Sequence, residues 1–160
     1  MKTNRVYIVC PFSQMEAFIR ENIDTDAYFI TGMAGRLCFG DEINTQVILY
    51  FIQRENIKEI IIVNDVNCRF MEEVLNNRIT KPNPATIIYR KLISDFKEVF
   101  PKIKTSEERR HLLAKLNIND HFREIKSNAV LRPLFIKNSI KLRGMVTNRL
   151  SNFKEPINFM

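Results

Sequence analysis

The chain has 160 residues, of which 45% are hydrophobic and 27% charged, and its formal net charge is +7. That length fits one domain spanning residues 1–160 with a real core, and the composition excludes a disordered or low-complexity protein. The longest apolar runs are strand-sized and too short to cross a bilayer, and three widely spaced cysteines do not make a disulfide framework.

The N-terminal "MKTNRVYIVC" enters a strand-like run within five residues and has no leader pattern, so a cytoplasmic protein with free thiols is expected. "RVYIVC" (5–10) reads as a buried strand because it is short, apolar and β-branched. After Pro11, apolar residues at Phe12, Met15, Phe18 and Ile19 predict a helix over 12–22. "AYFITG" (27–32) is a second strand closed by Gly32, and "AGRLCFGD" adds Gly35 and Gly40, so backbone freedom concentrates here. Asp41 is placed to cap an apolar helix that runs to about Asn56.

"KEIIIVN" (58–64) is the clearest strand, and it runs into Asp65, Asn67 and Cys68. "NCRFMEEVLNN" (67–77) reads as a helix with Asn67 as N-cap. "KPNPA" breaks the pattern, and charged helices are predicted over 85–99 and 105–126. After "LRPLF" the chain closes with a strand in "SIKLRGMV" (139–146) and a turn with an edge strand in "NRLSNFKEPINF". This alternation predicts an α/β fold: a central, mainly parallel sheet flanked by helices in three layers, with a closing antiparallel edge strand. Ligands in such sheets sit at the carboxyl ends of strands. Pairing of the first and third strands would bring Cys10, Asp65 and Cys68 to one place.

Charge is unevenly spread: residues 1–80 hold 8 Lys/Arg against 11 Asp/Glu, and residues 81–160 hold 17 against 7. The basic residues are interleaved with apolar ones, as on a solvated helix face, and no nucleic-acid motif accompanies them. His111 and His121, in the charged helical stretch, are expected at the surface, and Cys38, in "RLCFG", as a small buried hydrophobe.

The order and spacing of three stretches resemble the β-class carbonic anhydrases. "CPFSQ" (10–14) falls where that family has C-x-D-x-R, "GMAG" (32–35) at R-N-A-G, and "DVNC" (65–68) at H-x-x-C. "SIKLRGMVTNRLSNF" is similar to the family's closing hairpin, in which a glycine separates the strands. The resemblance implies the family's α/β fold and a homodimer. It also implies a metal site at Cys10, Asp65 and Cys68 and a pocket lined by Gly32, Ala34 and Gly35. The N-terminal helices of many members have no counterpart.

The chemical residues depart from the family. Cys10 and Cys68 match its two zinc thiolates, but Asp65 stands at the zinc histidine, Phe12 and Gln14 at the Asp–Arg catalytic dyad, and Gly32 at another arginine. A Cys10–Asp65–Cys68 set is an admissible zinc donor set. With two thiolates and a carboxylate it carries a formal charge of −1, which works against lowering the pKa of bound water toward about 7. Phe12 accepts no hydrogen bond and Gln14 carries no charge. Asp65 has a second reading, as a cap for backbone N–H groups, and the two cysteines a second reading as buried thiols without metal.

Three functions follow as expectations. The first is a divergent β-carbonic-anhydrase-like protein without efficient carbon dioxide hydration, with a zinc site either kept or lost. The second is a zinc-dependent lyase or hydrolase using Cys10, Asp65 and Cys68, and the third is a polyanion- or nucleic-acid-binding module in the basic half.

Overall fold

The computed structural model describes residues 4–40 and 42–157. Five strands form one sheet in the order β2-β1-β3-β4-β5: β1 (Arg5–Val9), β2 (Tyr28–Thr31), β3 (Glu59–Asp65), β4 (Lys141–Asn148) and β5 (Phe153–Ile157). The first four pair in parallel, and β5 returns antiparallel to β4. The helices are α1 (Met15–Asn22), α2 (Glu42–Arg54), α3 (Arg69–Leu75), α4 (Pro84–Asp95), α5 (Ser106–Ser127) and α6 (Leu131–Asn138). The three-layer α/β arrangement expected from the alternation is present.

Side chains alternate across the sheet with period two, and this decides where the site residues go. Val6 and Ile8 on β1 and Cys10 just after it, with Ile60 and Ile62 on β3, face the larger core, built with α2 to α6. Tyr7, Val9, Ile61 and Val63 face the smaller core, covered by Met15, Phe18 and Ile19 of α1. Ile60 and Ile62 are fully buried, worth about 1.5–3 kcal/mol each in transfer free energy. A polar substitution at either would break the central strand.

Several expectations are corrected. The first helix begins at Met15, not residue 12, because residues 11–14 make a turn in which Ser13 Oγ donates to Cys10 O at 2.7 Å. The helix expected over 85–99 ends at Asp95, and a 3-10 turn, Phe100–Lys102, follows. Cys68, not Asn67, is the N-cap of α3. Asn67 instead donates its N–H to Asp65 Oδ1 and its amide to Asn148 Oδ1, both at 2.8 Å. α6 forms although "LRPLF" carries Pro133, which in the sequence reads as a break. That proline sits in the first turn, where the N–H has no intrahelical partner in any case.

Gly144 does not separate the closing strands. It lies inside β4, opposite Ile62 on one side and Ile157 on the other. The reversal comes at residues 149–152, where Asn152 has φ 52. Asp41 lies outside the described residues. No helix among the described residues is long and apolar enough to cross a membrane.

Candidate functional site: a buried thiol pair

Cys10 follows β1, and Cys68 lies three residues past β3, which pairs with β1 in parallel. The two thiols therefore converge at the carboxyl ends of adjacent strands. Both are buried, at 4% and 2% exposure. The hydrogen bond from Cys68 draws the Cys10 thiol down against the opposing effect of burial. The backbone N–H groups of Phe12, Ala34 and Gly35 act in the same direction. Cys68 is pushed up by donating to Cys10 and by burial.

The backbone cradle around Cys10 is held from behind. In the 3-10 turn Met33–Gly35, Ala34 has φ 58 and Gly35 φ 65, left-handed values that aim successive N–H groups inward. The Ala34 carbonyl accepts from Asn64 Nδ2 and Asn117 Nδ2, both at 2.8 Å. A Cβ on Gly35 would stand 2.8 Å from Val63 O, so only glycine fits there. Gly32 is extended, its N–H donates to Val9 O at 3.0 Å, and its carbonyl accepts from Gly35 at 2.9 Å. Of the three, Ala34 and Gly35 stand beside the Cys10 thiol through their backbone N–H groups. Tyr89, fully buried on α4, donates to Asn64 Oδ1 at 3.1 Å and stands 3.8 Å from Cys68 Sγ.

Asp65 continues the alternation of Ile61 and Val63 and faces the opposite side of the sheet from Cys10. Its Oδ1 accepts from Asn67 N at 2.8 Å, and its Oδ2 accepts from Thr147 Oγ1 and Arg149 N, each at 2.9 Å. Thr147 in turn lies 3.2 Å from Met15 Sδ of α1. The carboxylate, only 2% exposed, fastens β3 to the end of β4. Phe12 is 55% exposed with its ring edge-on to Phe70 at 5.3 Å. Gln14 is exposed at the N-cap of α1 with φ 56 and no side-chain cap bond.

Zinc in a catalytic site takes three protein donors and water. The thiols supply two, and Asp65 is committed elsewhere. Among the described residues no three of His, Cys, Asp and Glu are grouped so as to hold a metal ion. As folded, this donor set does not fit the zinc centre that the resemblance implies.

A polar cluster beside the site was not anticipated. Arg36, 6% exposed, donates to Asn117 Oδ1 at 3.1 Å and Asp120 Oδ2 at 2.9 Å, and pairs with Glu124 Oε2 at 2.7 Å. His121, expected at the surface, is fully buried: its Nε2 accepts from Leu37 N at 3.2 Å, and its Nδ1 lies 3.3 Å from Glu124 Oε2. Burial lowers its pKa, outweighing the hydrogen bond to Glu124. The available signal was the 117, 120, 121, 124 spacing, which puts four polar residues on one face of α5. His111 is half-buried, with its Nε2 2.6 Å from Glu155 Oε2. Cys38, expected buried, is exposed, because Leu37 takes the core place in that loop at 3% exposure.

A cavity of about 990 Å³ opens elsewhere, at the end of α5 and along α6 and the start of β4. Its lining includes Arg123, Lys126 and Arg132 over Phe122, Phe135 and Leu142, and no residue of the thiol site.

The overall fold is shared with solved structures. A tetrameric β-carbonic anhydrase of Sordaria macrospora superposes with a TM-score of 0.83 over 99% of this chain and 82% of that one, at 17% identity. The β-carbonic anhydrase CafA of Aspergillus fumigatus gives 0.82 over 99% and 76%, at 18% identity. This chain has the β-carbonic anhydrase fold. The Coccomyxa β-carbonic anhydrase in complex with acetazolamide has the same fold at a TM-score of 0.73 and 12% identity, covering 100% of this chain and 76% of its own. No family model and no curated protein matches the chain. Within this β-carbonic anhydrase fold, the thiol pair stands at the strand ends where an open α/β sheet places its ligands.

Proposed function

We propose that this is a divergent β-carbonic-anhydrase-like protein that does not hydrate carbon dioxide efficiently. The observation that carries this reading is the binding of the Asp65 carboxylate by Asn67, Thr147 and Arg149. Each hydrogen bond to a charged group contributes roughly 1.5–3 kcal/mol, so turning Asp65 toward the thiols gives up several kcal/mol before any metal is bound. Phe12 and Gln14 add no acid, base or charge where the resemblance requires the dyad. Stopped-flow hydration of carbon dioxide, with zinc supplied, tests the reading. The expected rate is that of buffer alone, and acceleration proportional to protein concentration overturns it.

A homo-oligomer is part of this reading. The sheet ends on the edge strand β2, and α2 exposes Ile43 and Tyr50 at 63% and 56%, an apolar surface of the kind subunits cover. A cytoplasmic location fits three cysteines with no disulfide among them.

A second reading, binding of an anionic ligand through the basic half, is favoured by the cavity bearing Arg123, Lys126 and Arg132. Retention on heparin that falls steeply with salt supports it. Weak, salt-insensitive retention ends it.

A further inference from the structure

The cavity of about 990 Å³ stands at the amino ends of the parallel strands, since Leu142 on its wall pairs with Ile60 near the start of β3. The thiols lie at the opposite edge of the sheet. The cavity floor is apolar, made by the buried Phe122 and Phe135 and the half-buried Leu142, and the exposed Ile136 stands at the mouth. Phe122 and Lys126 are one turn apart on α5, and Arg132, Phe135 and Ile136 share one face of α6, so each helix offers an apolar side chain with a cation beside it. Lys126 Nζ lies 5.1 Å from the centroid of the Phe122 ring, a contact that keeps the ammonium at the cavity wall. None of the lining residues is acidic. Arg123 approaches Asp120 only at 3.9 Å, and among the described residues Lys126 and Arg132 have no ion pair.

The volume is at the upper end of the roughly 300–1,000 Å³ of small-molecule sites and far more than an inorganic anion fills. A polyanion would use the cations but leave the aromatic and aliphatic floor wet. An exposed ion pair changes affinity by about fivefold at most, whereas each buried methylene changes it by about fourfold. A chain of several methylenes therefore outweighs its own head group here. We propose that this cavity binds an acyl chain ending in a carboxylate, the chain lying over Phe122, Phe135 and Leu142 and the carboxylate meeting Lys126 and Arg132. The proposal rests on the anion-binding reading above and gives that anion an apolar tail.

The test uses the full chain with hexanoate, octanoate and decanoate, each below its micelle concentration. Calorimetric titration is expected to show affinity rising about fourfold for each added methylene, with uncharged octanol binding more weakly than octanoate. Lys126→Ala with Arg132→Ala, at two exposed positions, is expected to weaken octanoate to the level of octanol and to leave octanol unchanged. The chain has no tryptophan, so Ile136→Trp places a single fluorophore at the mouth. Decanoate is expected to shift its emission to the blue and to leave unmoved that of Phe12→Trp, at the other edge of the sheet. Affinity that ignores chain length, or equal responses from the two tryptophans, overturns the proposal. In that event heparin held through Lys126 and Arg132 leaves the anion-binding reading standing, and no heparin binding removes both.

Discussion

Thr147 Oγ1 donates to Asp65 Oδ2 at 2.9 Å, joining the ends of two parallel strands through a carboxylate that the sequence places at a metal ligand's position. Arg149 N and Asn67 N complete its partners. Substitution of Asp65 is therefore a stability experiment first. Asp65→Ala strands three donors, the Thr147 hydroxyl among them buried, and is expected to cost about 3 kcal/mol. Asp65→His, which restores the family's residue type, is expected to destabilise comparably without creating a metal site. Urea unfolding and zinc content measure both, and a stable Asp65→His protein with stoichiometric zinc contradicts the structural role.

Arg36 joins the loop after β2 to α5 through Asn117, Asp120 and Glu124. Its guanidinium is nearly inaccessible, but Asp120 and Glu124 are 28% and 49% exposed, so solvent can recover part of what a substitution loses. Arg36→Met is expected to cost about 2 kcal/mol, below the roughly 3–5 kcal/mol of a fully buried broken pair. Arg36→Lys should not rescue it, because one ammonium cannot replace a fork that reaches three acceptors. Chemical denaturation of the two variants decides this, and full stability of Arg36→Lys would sink it.

His121 gives stability a pH dependence of definite sign. Burial lowers its pKa from the ordinary 6.5, so below that value the unfolded chain binds a proton that the folded chain refuses. Stability is complete above about pH 6.5 and declines as pH falls toward the folded pKa. Protonation also removes the acceptor that Leu37 N uses. Burial tends to raise Glu124, but its hydrogen bond to His121 and the Arg36 charge outweigh that and lower it from 4.5. Its contribution is present above 4.5 and lost as pH falls below. Thermal melts between pH 7.5 and 4 are expected to show the first decline beginning near 6.5, and His121→Gln should remove it. An unchanged profile in that variant assigns the decline elsewhere.

Gly35 and Gly32 are constrained differently. Gly35→Ala forces a Cβ into a left-handed residue 2.8 Å from Val63 O and is expected to cost about 2 kcal/mol while loosening the N–H cradle. At Gly32 a Cβ would meet Arg36 O at 1.9 Å, so the arginine of the family motif does not fit unless the loop moves. Gly32→Arg is expected to lower the melting temperature without conferring hydration activity. A Gly35→Ala protein as stable as the parent would contradict the cradle.

The sheet was legible in the sequence because its central strands are short, β-branched and buried on both faces, as "KEIIIVN" shows. The convergence of Cys10 and Cys68 followed from the pairing of the first and third strands. The orientation of Asp65 turns on alternation within β3, since Asn64 faces the thiols and the next residue faces α1. That distinction depends on the strand continuing through Asp65, which linear spacing leaves open. The Arg36–His121 cluster joins residues 85 positions apart through tertiary contact, so only the polar stripe on α5 hinted at it. Pro133 hid α6, since a proline in a helix's first turn looks like a break when the start is not known.

Metal content most directly tests the account that this fold has lost its zinc chemistry. Untagged protein expressed with zinc supplied should carry far less than one zinc per chain by elemental analysis, with no change in Cys68→Ser. About one zinc per chain, lost in Cys68→Ser, would contradict it and restore Asp65 as a ligand.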